Sequence, residues 1–391
     1  MLRRLLATSF LATALLGTGL PGAAPRPGPA QAQAQAQSPA QAPQPPGAAG
    51  QVLNVYNWSD YIDPYAVDRF QRETGIRIRY DVFDSLETLE GKLSAGRSGY
   101  DIIVPTNEPT FSRLVRAGAL RPLDRAQIPN WGNQDPALLR QVESSDPGNR
   151  FGAIYLYGTI GLGIRTDRVR ELAPDAPLDS LDLLMKPEHA RRLARCGIAI
   201  MDSATDVLPT VLRWLGRDPN TTEPRELRAA EDALMAIRPQ VRAITASGNL
   251  MDALANGEYC VVLTYSGDVI QAQARAREAG RGVQIGYVAP KEGAQLWLDM
   301  LAIPADAPNP EAAQRFINFL LQPDVMAGIT NQVRYPNGIP ASRPLVDAAV
   351  RDDPNVYPTA ETLSRTFTVT GLTPTAERAR SRGWSRFKAG R

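Results

Sequence analysis

Apolar and polar residues alternate along this chain with two different periods, and the switches between them mark its elements. Residues 52–56 form a short apolar run that reads as a strand. Asp63 followed by Pro64 supplies an N-cap and a first-turn proline for a helix that stops at Gly75, with Val67 and Phe70 on its buried face. Ile76, Ile78, Tyr80 and Val82 alternate as a second strand, and Asp84 with Glu87 makes a capping box ahead of Leu86, Leu89 and Leu93. Residues 101–105 read as a third strand, followed by a helix ending near Gly118. This β-α-β-α-β order predicts a parallel sheet covered by helices, in which the loops after the strand ends face a ligand. Residues 58–61 and Thr106 occupy such loops.

The second half repeats the pattern without repeating the sequence. Strands are predicted at 198–201, 261–265 and 296–303, and helices at 206–215, 223–237, 267–279 and 310–321. Two α/β lobes facing each other enclose a cleft. There is no long-period repeat and no heptad run.

The first fifty residues carry a different signal. Arg3 and Arg4 precede an apolar stretch at 5–20, and small residues follow at Ala23 and Ala24, so 1–24 reads as a secretory signal peptide. No cysteine precedes Cys196, which argues against a lipoprotein signal and for a soluble exported product. Residues 25–50, rich in Pro, Ala and Gln, have too little apolar content to fold and read as a disordered leader. The formal charge of +2 comes from that leader: without Arg3, Arg4 and Arg26, 40 basic residues face 41 acidic ones. Such a balance gives no basic excess for a nucleic-acid partner. Cys196 and Cys260 are the two cysteines, and in an exported chain they read as a disulfide, with a pair of buried free thiols as the alternative.

Candidate chemistry sits at the strand ends. Tyr56-Asn57-Trp58-Ser59-Asp60-Tyr61 packs three rings and a carboxylate into six residues; Tyr265-Ser266-Gly267-Asp268 and Trp297-Leu298-Asp299 each pair a ring with an acid. In an extended strand Trp297 and Asp299 project to one face. An organic cation needs negative charge to pair with and polarisable rings against which to shed water. Each segment alone also suits a core ring or a helix-capping aspartate. Three of them together point to an amine site. Enzymatic readings fare less well. His189, the one histidine, is expected to be an exposed surface residue, which leaves no Ser-His-Asp or multi-histidine metal site. Asp268 and Asp299 as a glycoside-hydrolase pair would need a carboxyl with a raised pKa, which no sequence signal provides. Gly161-Leu162-Gly163 lacks the third glycine of a dinucleotide loop and reads as strand or hinge backbone. Arg378, Arg380, Arg382, Arg386 and Lys388 around Trp384 and Phe387 read as a solvated helix face docked by its two rings.

With these segments in view, the chain from Leu53 to its C-terminus resembles the periplasmic putrescine- and spermidine-binding proteins of bacterial polyamine ABC transporters, most of all the putrescine type. The resemblance rests on Val55-Tyr56-Asn57-Trp58-Ser59-Asp60-Tyr61-Ile62, Tyr80-Asp81-Val82-Phe83-Asp84-Ser85, Leu89-Glu90-Gly91-Lys92-Leu93, Leu254-Ala255-Asn256-Gly257, Gly267-Asp268-Val269 and Pro290-Lys291-Glu292-Gly293. It implies an α/β, two-lobed periplasmic binding protein of type II, with 51–157 and 300–340 in the N-terminal lobe and 158–299 and 341–391 in the C-terminal lobe. It further implies a monomer without cofactor or metal, a polyamine ligand, and an inner-membrane ABC permease with its ATPase as partners; a polyamine sensor is the alternative role. Carried over by position, the ligand residues are Trp58, Ser59, Asp60, Thr106, Asp206, Ser247, Tyr265, Asp268, Trp297, Asp299 and Tyr335, and the disulfide is Cys196–Cys260. Asp268 and Asp299 are expected to take one ammonium head and Asp206, through a bridging water, another. Asp206 stands where the family usually has glutamate, Thr106 where it has serine, and Tyr265 where it has tryptophan. Ser59-Asp60 follows the putrescine pattern, whereas Trp297 follows the spermidine pattern.

Overall fold

The computed structural model describes residues 50–390 of the chain, so the predicted signal peptide and most of the Pro/Ala/Gln tract lie outside the described residues. Ten strands follow in order: β1 Val52–Trp58, β2 Arg77–Phe83, β3 Ile102–Ile103, β4 Leu120–Arg121, β5 Gly152–Arg165, β6 Ile198–Met201, β7 Val241–Thr245, β8 Val261–Tyr265, β9 Ile285–Val288 and β10 Leu296–Pro304. Their hydrogen-bonded order is β2-β1-β3-β10-β5-β8-β6-β7, with β4 on β10 and β9 on β5. The parallel pairing expected of the first unit holds for β1 with β2 and β3, and the second unit pairs β6 in parallel with β7 and β8.

Two long antiparallel strands join these parallel units. The first half of β5 pairs with β10 from Gly152 to Thr159, and its second half pairs with β8 and β9 from Ile160 to Arg165. A single strand therefore runs through both lobes of the α/β fold. Apart from Thr159 and the terminal Arg165 its sequence is a near-continuous apolar run rather than an alternation, as expected of a strand covered on both faces. Gly161 is required there: a Cβ would lie 2.2 Å from the Val288 carbonyl oxygen and 2.6 Å from the Tyr287 hydroxyl. The Gly161-Leu162-Gly163 run is strand backbone.

Local chemistry explains most element ends. Asp63 caps the helix Pro64–Thr74 by accepting from the Tyr65 N–H, and Gly75 closes it at φ 73°. Several expectations need correction. Ala66 and Phe70 form the buried face of that helix, with Val67 half-buried. Val82 is 51% exposed, because β2 lies at the sheet edge and buries Phe83 instead. The helix Leu86–Ser94 is capped by Ser85, whose hydroxyl accepts from the Thr88 N–H, one residue later than the Asp84/Glu87 box. His189 is buried, at 7% exposure: Pro187 starts a helix whose inward face carries His189, Ala190 and Leu193, and Arg192 donates to its Nδ1.

Cys196 and Cys260 form the disulfide, with Cα atoms 5.6 Å apart. The C-terminal helix Pro374–Ala389 docks through Trp384 and Phe387, and the Trp384 indole donates to Asp202. Arg380 departs from the solvated face expected of it. It is buried and paired with Glu377 at 2.6 Å. Among the described residues no helix is long and apolar enough to cross a membrane.

Candidate functional site

A cavity of about 280 Å³ opens beyond the ends of β1 and β8, and all eleven sequence-predicted ligand residues line it. Tyr61, Phe83, Asp84, Asn249 and Asp252 also contribute to its wall. Six lining residues are aspartates (Asp60, Asp84, Asp206, Asp252, Asp268 and Asp299), and none is Lys, Arg or His.

β1 delivers Trp58 at its last position. The Trp58 indole donates to the Val104 carbonyl oxygen at 3.0 Å, and its ring tilts against Phe83 at 4.6 Å. The next residues turn away from the sheet: the Ser59 N–H donates to the Phe83 carbonyl oxygen, and Asp60 adopts φ 51°. β8 delivers Tyr265, and the following helix Ser266–Glu278 presents Asp268 in its first turn, where the N-terminal dipole favours an anion. β10 delivers Trp297 and Asp299 to the same cavity, as their two-residue spacing predicts.

The rings meet edge-on. Trp297 lies 5.8 Å from Tyr265 and 5.2 Å from Tyr335, while Tyr61 lies 5.4 Å from Tyr335. Gly267 makes this possible, since a Cβ there would come within 2.4 Å of the Tyr335 ring. The Trp297 Nε1 is buried and has no hydrogen-bond partner in the structure. Tyr61 was part of the aromatic hexapeptide but not of the predicted ligand set; burial, and then the neighbouring Asp299, push its phenol well above the usual range.

Apart from the exposed Asp84, the carboxylates fall into three kinds. Asp268 and Asp299 are acids without a salt bridge, held by neutral donors. The Tyr335 hydroxyl donates to Asp268 at 2.8 Å, and the Thr106 hydroxyl donates to Asp299 at 2.6 Å. Loss of water dominates both: burial pushes Asp299 up to about 7 and Asp268 up to about 6, against the smaller lowering effect of those hydrogen bonds. Burial pushes the Asp206 carboxyl up as well, but it has more donors. Its Oδ2 accepts from the Ser203 hydroxyl at 2.7 Å and from the Tyr265 hydroxyl at 2.8 Å, and its Oδ1 accepts from Gln295 Nε2 at 2.8 Å. Of roughly four lone-pair sites on a carboxylate, three are taken. Sequence reasoning missed Ser203 and Gln295, because their contact with Asp206 depends on the fold. Asp60 and Asp252 form the third kind, both paired with Arg275 at 3.2 and 2.5 Å.

Such a cleft, between two α/β lobes that share a central strand, defines a solute-binding protein. The comparisons agree. Residues 65–359 match the bacterial extracellular solute-binding protein family, and the chain belongs to that family. It is similar to the putrescine-binding periplasmic protein SpuD of Pseudomonas aeruginosa strain UCBPP-PA14, at 46% identity over 345 residues, covering 88% of this chain and 94% of the relative. It is similar too to the putrescine-binding periplasmic protein PotF of Escherichia coli K12, at 44% identity over 346 residues, covering 88% and 93%. Among solved structures, a spermidine/putrescine ABC transporter protein of Listeria monocytogenes superposes with a TM-score of 0.78 at 30% identity, covering 87% of this chain and all of that one. The family is one of binding proteins rather than enzymes. The glycoside-hydrolase reading of Asp268 and Asp299 is therefore set aside.

Proposed function

We propose that this protein captures putrescine or a closely related polyamine in the interlobe cleft and delivers it to an inner-membrane ABC permease and its ATPase. One observation carries the reading: a cavity lined by six aspartates and a box of aromatic rings, with no basic residue in its wall. An isolated carboxylate is costly to enclose, so a closed cleft of this kind rejects neutral and anionic solutes and accepts cations. Asp268 and Asp299 supply charge-assisted hydrogen bonds to ammonium groups. Trp58, Tyr265, Trp297 and Tyr335 flank the methylenes, each worth about 0.5–2 kcal/mol in cation–π contact according to its desolvation. Ser59, Asp60, Thr106, Asp206 and Ser247 complete the ligand set. The similarity to SpuD and PotF, both putrescine-binding periplasmic proteins, supports the same ligand class.

The proposal includes export under the signal at 1–24 to the periplasm as a soluble monomer without a lipid anchor, and lobes bounded as 51–157 with 300–340 and 158–299 with 341–391. A spermidine preference is the second reading, favoured by the bulk of Trp297. Calorimetric titration of the ligand-free protein with putrescine, cadaverine, agmatine and spermidine decides both. Micromolar or tighter binding of at least one amine is expected. No affinity better than millimolar for any of them refutes the proposal.

A further inference from the structure

Arg275 lies on the helix Ser266–Glu278, just outside the cavity wall. One arm of its guanidinium reaches Asp60 Oδ1 at 3.2 Å, and the other reaches Asp252 Oδ1 at 2.5 Å. Both partners line the cavity. Asp60 belongs to the turn after β1, whereas Asp252 sits on the helix Ser247–Ala255, so one cation draws together acids from the two sides of the cleft. Asp206 is already held by three neutral donors. Asp84 is exposed and its carboxylate accepts only a long contact of 3.4 Å from the Thr88 hydroxyl. Asp268 and Asp299, together with the remaining lone pair of Asp206, are then the enclosed acids left to meet ammonium groups, and Asp60 and Asp252 are the further carboxylates a longer amine would reach for.

Resting on the polyamine reading above, we propose that Arg275 is a specificity-determining residue: an internal counter-cation that occupies the carboxylates a third ammonium would need. A triamine entering the cleft must either displace the guanidinium from Asp60 and Asp252 or leave its third charge facing it. Either course costs affinity that a diamine does not lose.

The test is calorimetric titration of wild type, Arg275→Gln and Arg275→Lys with putrescine and with spermidine at pH 8. Because the acids involved are partly exposed, freeing them is worth on the order of one surface ion pair. The spermidine-to-putrescine affinity ratio is therefore expected to rise about fivefold in Arg275→Gln and to stay at the wild-type value in Arg275→Lys. An unchanged ratio in Arg275→Gln, or an equal loss for both amines, overturns the inference and makes Arg275 a fastening between the lobes. A ratio in Arg275→Lys equal to that of Arg275→Gln overturns it too, since charge would then not be the cause. Wild-type protein that binds neither amine fails the polyamine reading itself, whereas putrescine binding with an unmoved ratio fails only the role of Arg275.

Discussion

Capture of a diamine by this cleft is expected to expel protons, and the pH dependence follows from two residues. In the ligand-free site burial holds Asp299 at about 7 and Asp268 at about 6. An ammonium pairs with the carboxylate and not with the carboxylic acid, so binding lowers both values and releases whatever proton each acid carries. At pH 8 both acids are largely ionised; at pH 7 about half of Asp299 is protonated; at pH 6 about nine-tenths of Asp299 and half of Asp268 are. Affinity is therefore expected to fall about twofold from pH 8 to 7 and about twentyfold from pH 8 to 6, roughly 1.8 kcal/mol. At pH 7 about 0.6 proton is released per amine bound. Titration calorimetry in buffers of different ionisation enthalpy measures both quantities, and Asp299→Asn removes most of the change between pH 8 and 7. Affinity that stays flat from pH 8 to 6, with no buffer dependence of the heat, refutes the reasoning.

The same two acids act on stability with a definite sign. Their folded pKa values lie above the unfolded ones, so their contribution to the ligand-free fold is complete below about pH 4 and is lost as pH rises through about 6 and about 7. Amine restores it by pairing the charges. The rise in melting temperature on adding putrescine is therefore larger at pH 8 than at pH 5.

Asp268→Asn is expected to weaken putrescine binding by at least about thirtyfold, the range for losing one partner of an enclosed charge pair, while the melting temperature of the ligand-free protein holds or rises. Undiminished affinity by calorimetry would remove Asp268 from the site. Trp297→Phe is expected to shift the putrescine-to-spermidine affinity ratio toward putrescine by trimming ring face from the wall, with an unmoved ratio counting against that role. Reduction of Cys196–Cys260 opens a loop of sequence separation 64 and is expected to cost about 4 kcal/mol by the chain-entropy relation, read as a drop in denaturation midpoint with dithiothreitol.

What the sequence made legible was local. Ring-plus-acid pairs after β1 and β8 could be placed in a cleft because C-terminal strand ends face the ligand in parallel α/β folds, and Trp58 and Asp268 line the cavity; Trp297 and Asp299 line it from the first residues of β10, which runs antiparallel to β3 and β5 and falls outside that rule. What it concealed depends on long-range contact or on an absent alternation. β5 is apolar on both faces and rich in glycine, so neither period marks it. Gln295 meets Asp206 across 89 residues, and Arg275 meets Asp60 across 215. His189 looked exposed because its neighbours are charged, yet the helix begun by Pro187 rotates residues 189, 190 and 193 inward.

The geometry around Asp206 changes how two departures from the family pattern are to be understood. A shorter acid and a tyrosine in place of tryptophan looked like separate losses, one of reach and one of ring face. The Tyr265 hydroxyl donates to Asp206 Oδ2, so the two residues form one unit with Ser203 and Gln295. A glutamate has one methylene more than this arrangement accommodates at the same three donor distances, and a tryptophan in place of Tyr265 would have no hydroxyl to offer. Asp206 thereby also positions the Tyr265 ring against Trp297, and the enclosed charge of the cleft is concentrated on Asp206, Asp268 and Asp299, all three pushed up by burial. That concentration makes the cleft sensitive to pH near neutrality, and it leaves the mouth acids Asp60 and Asp252 free to be governed by Arg275.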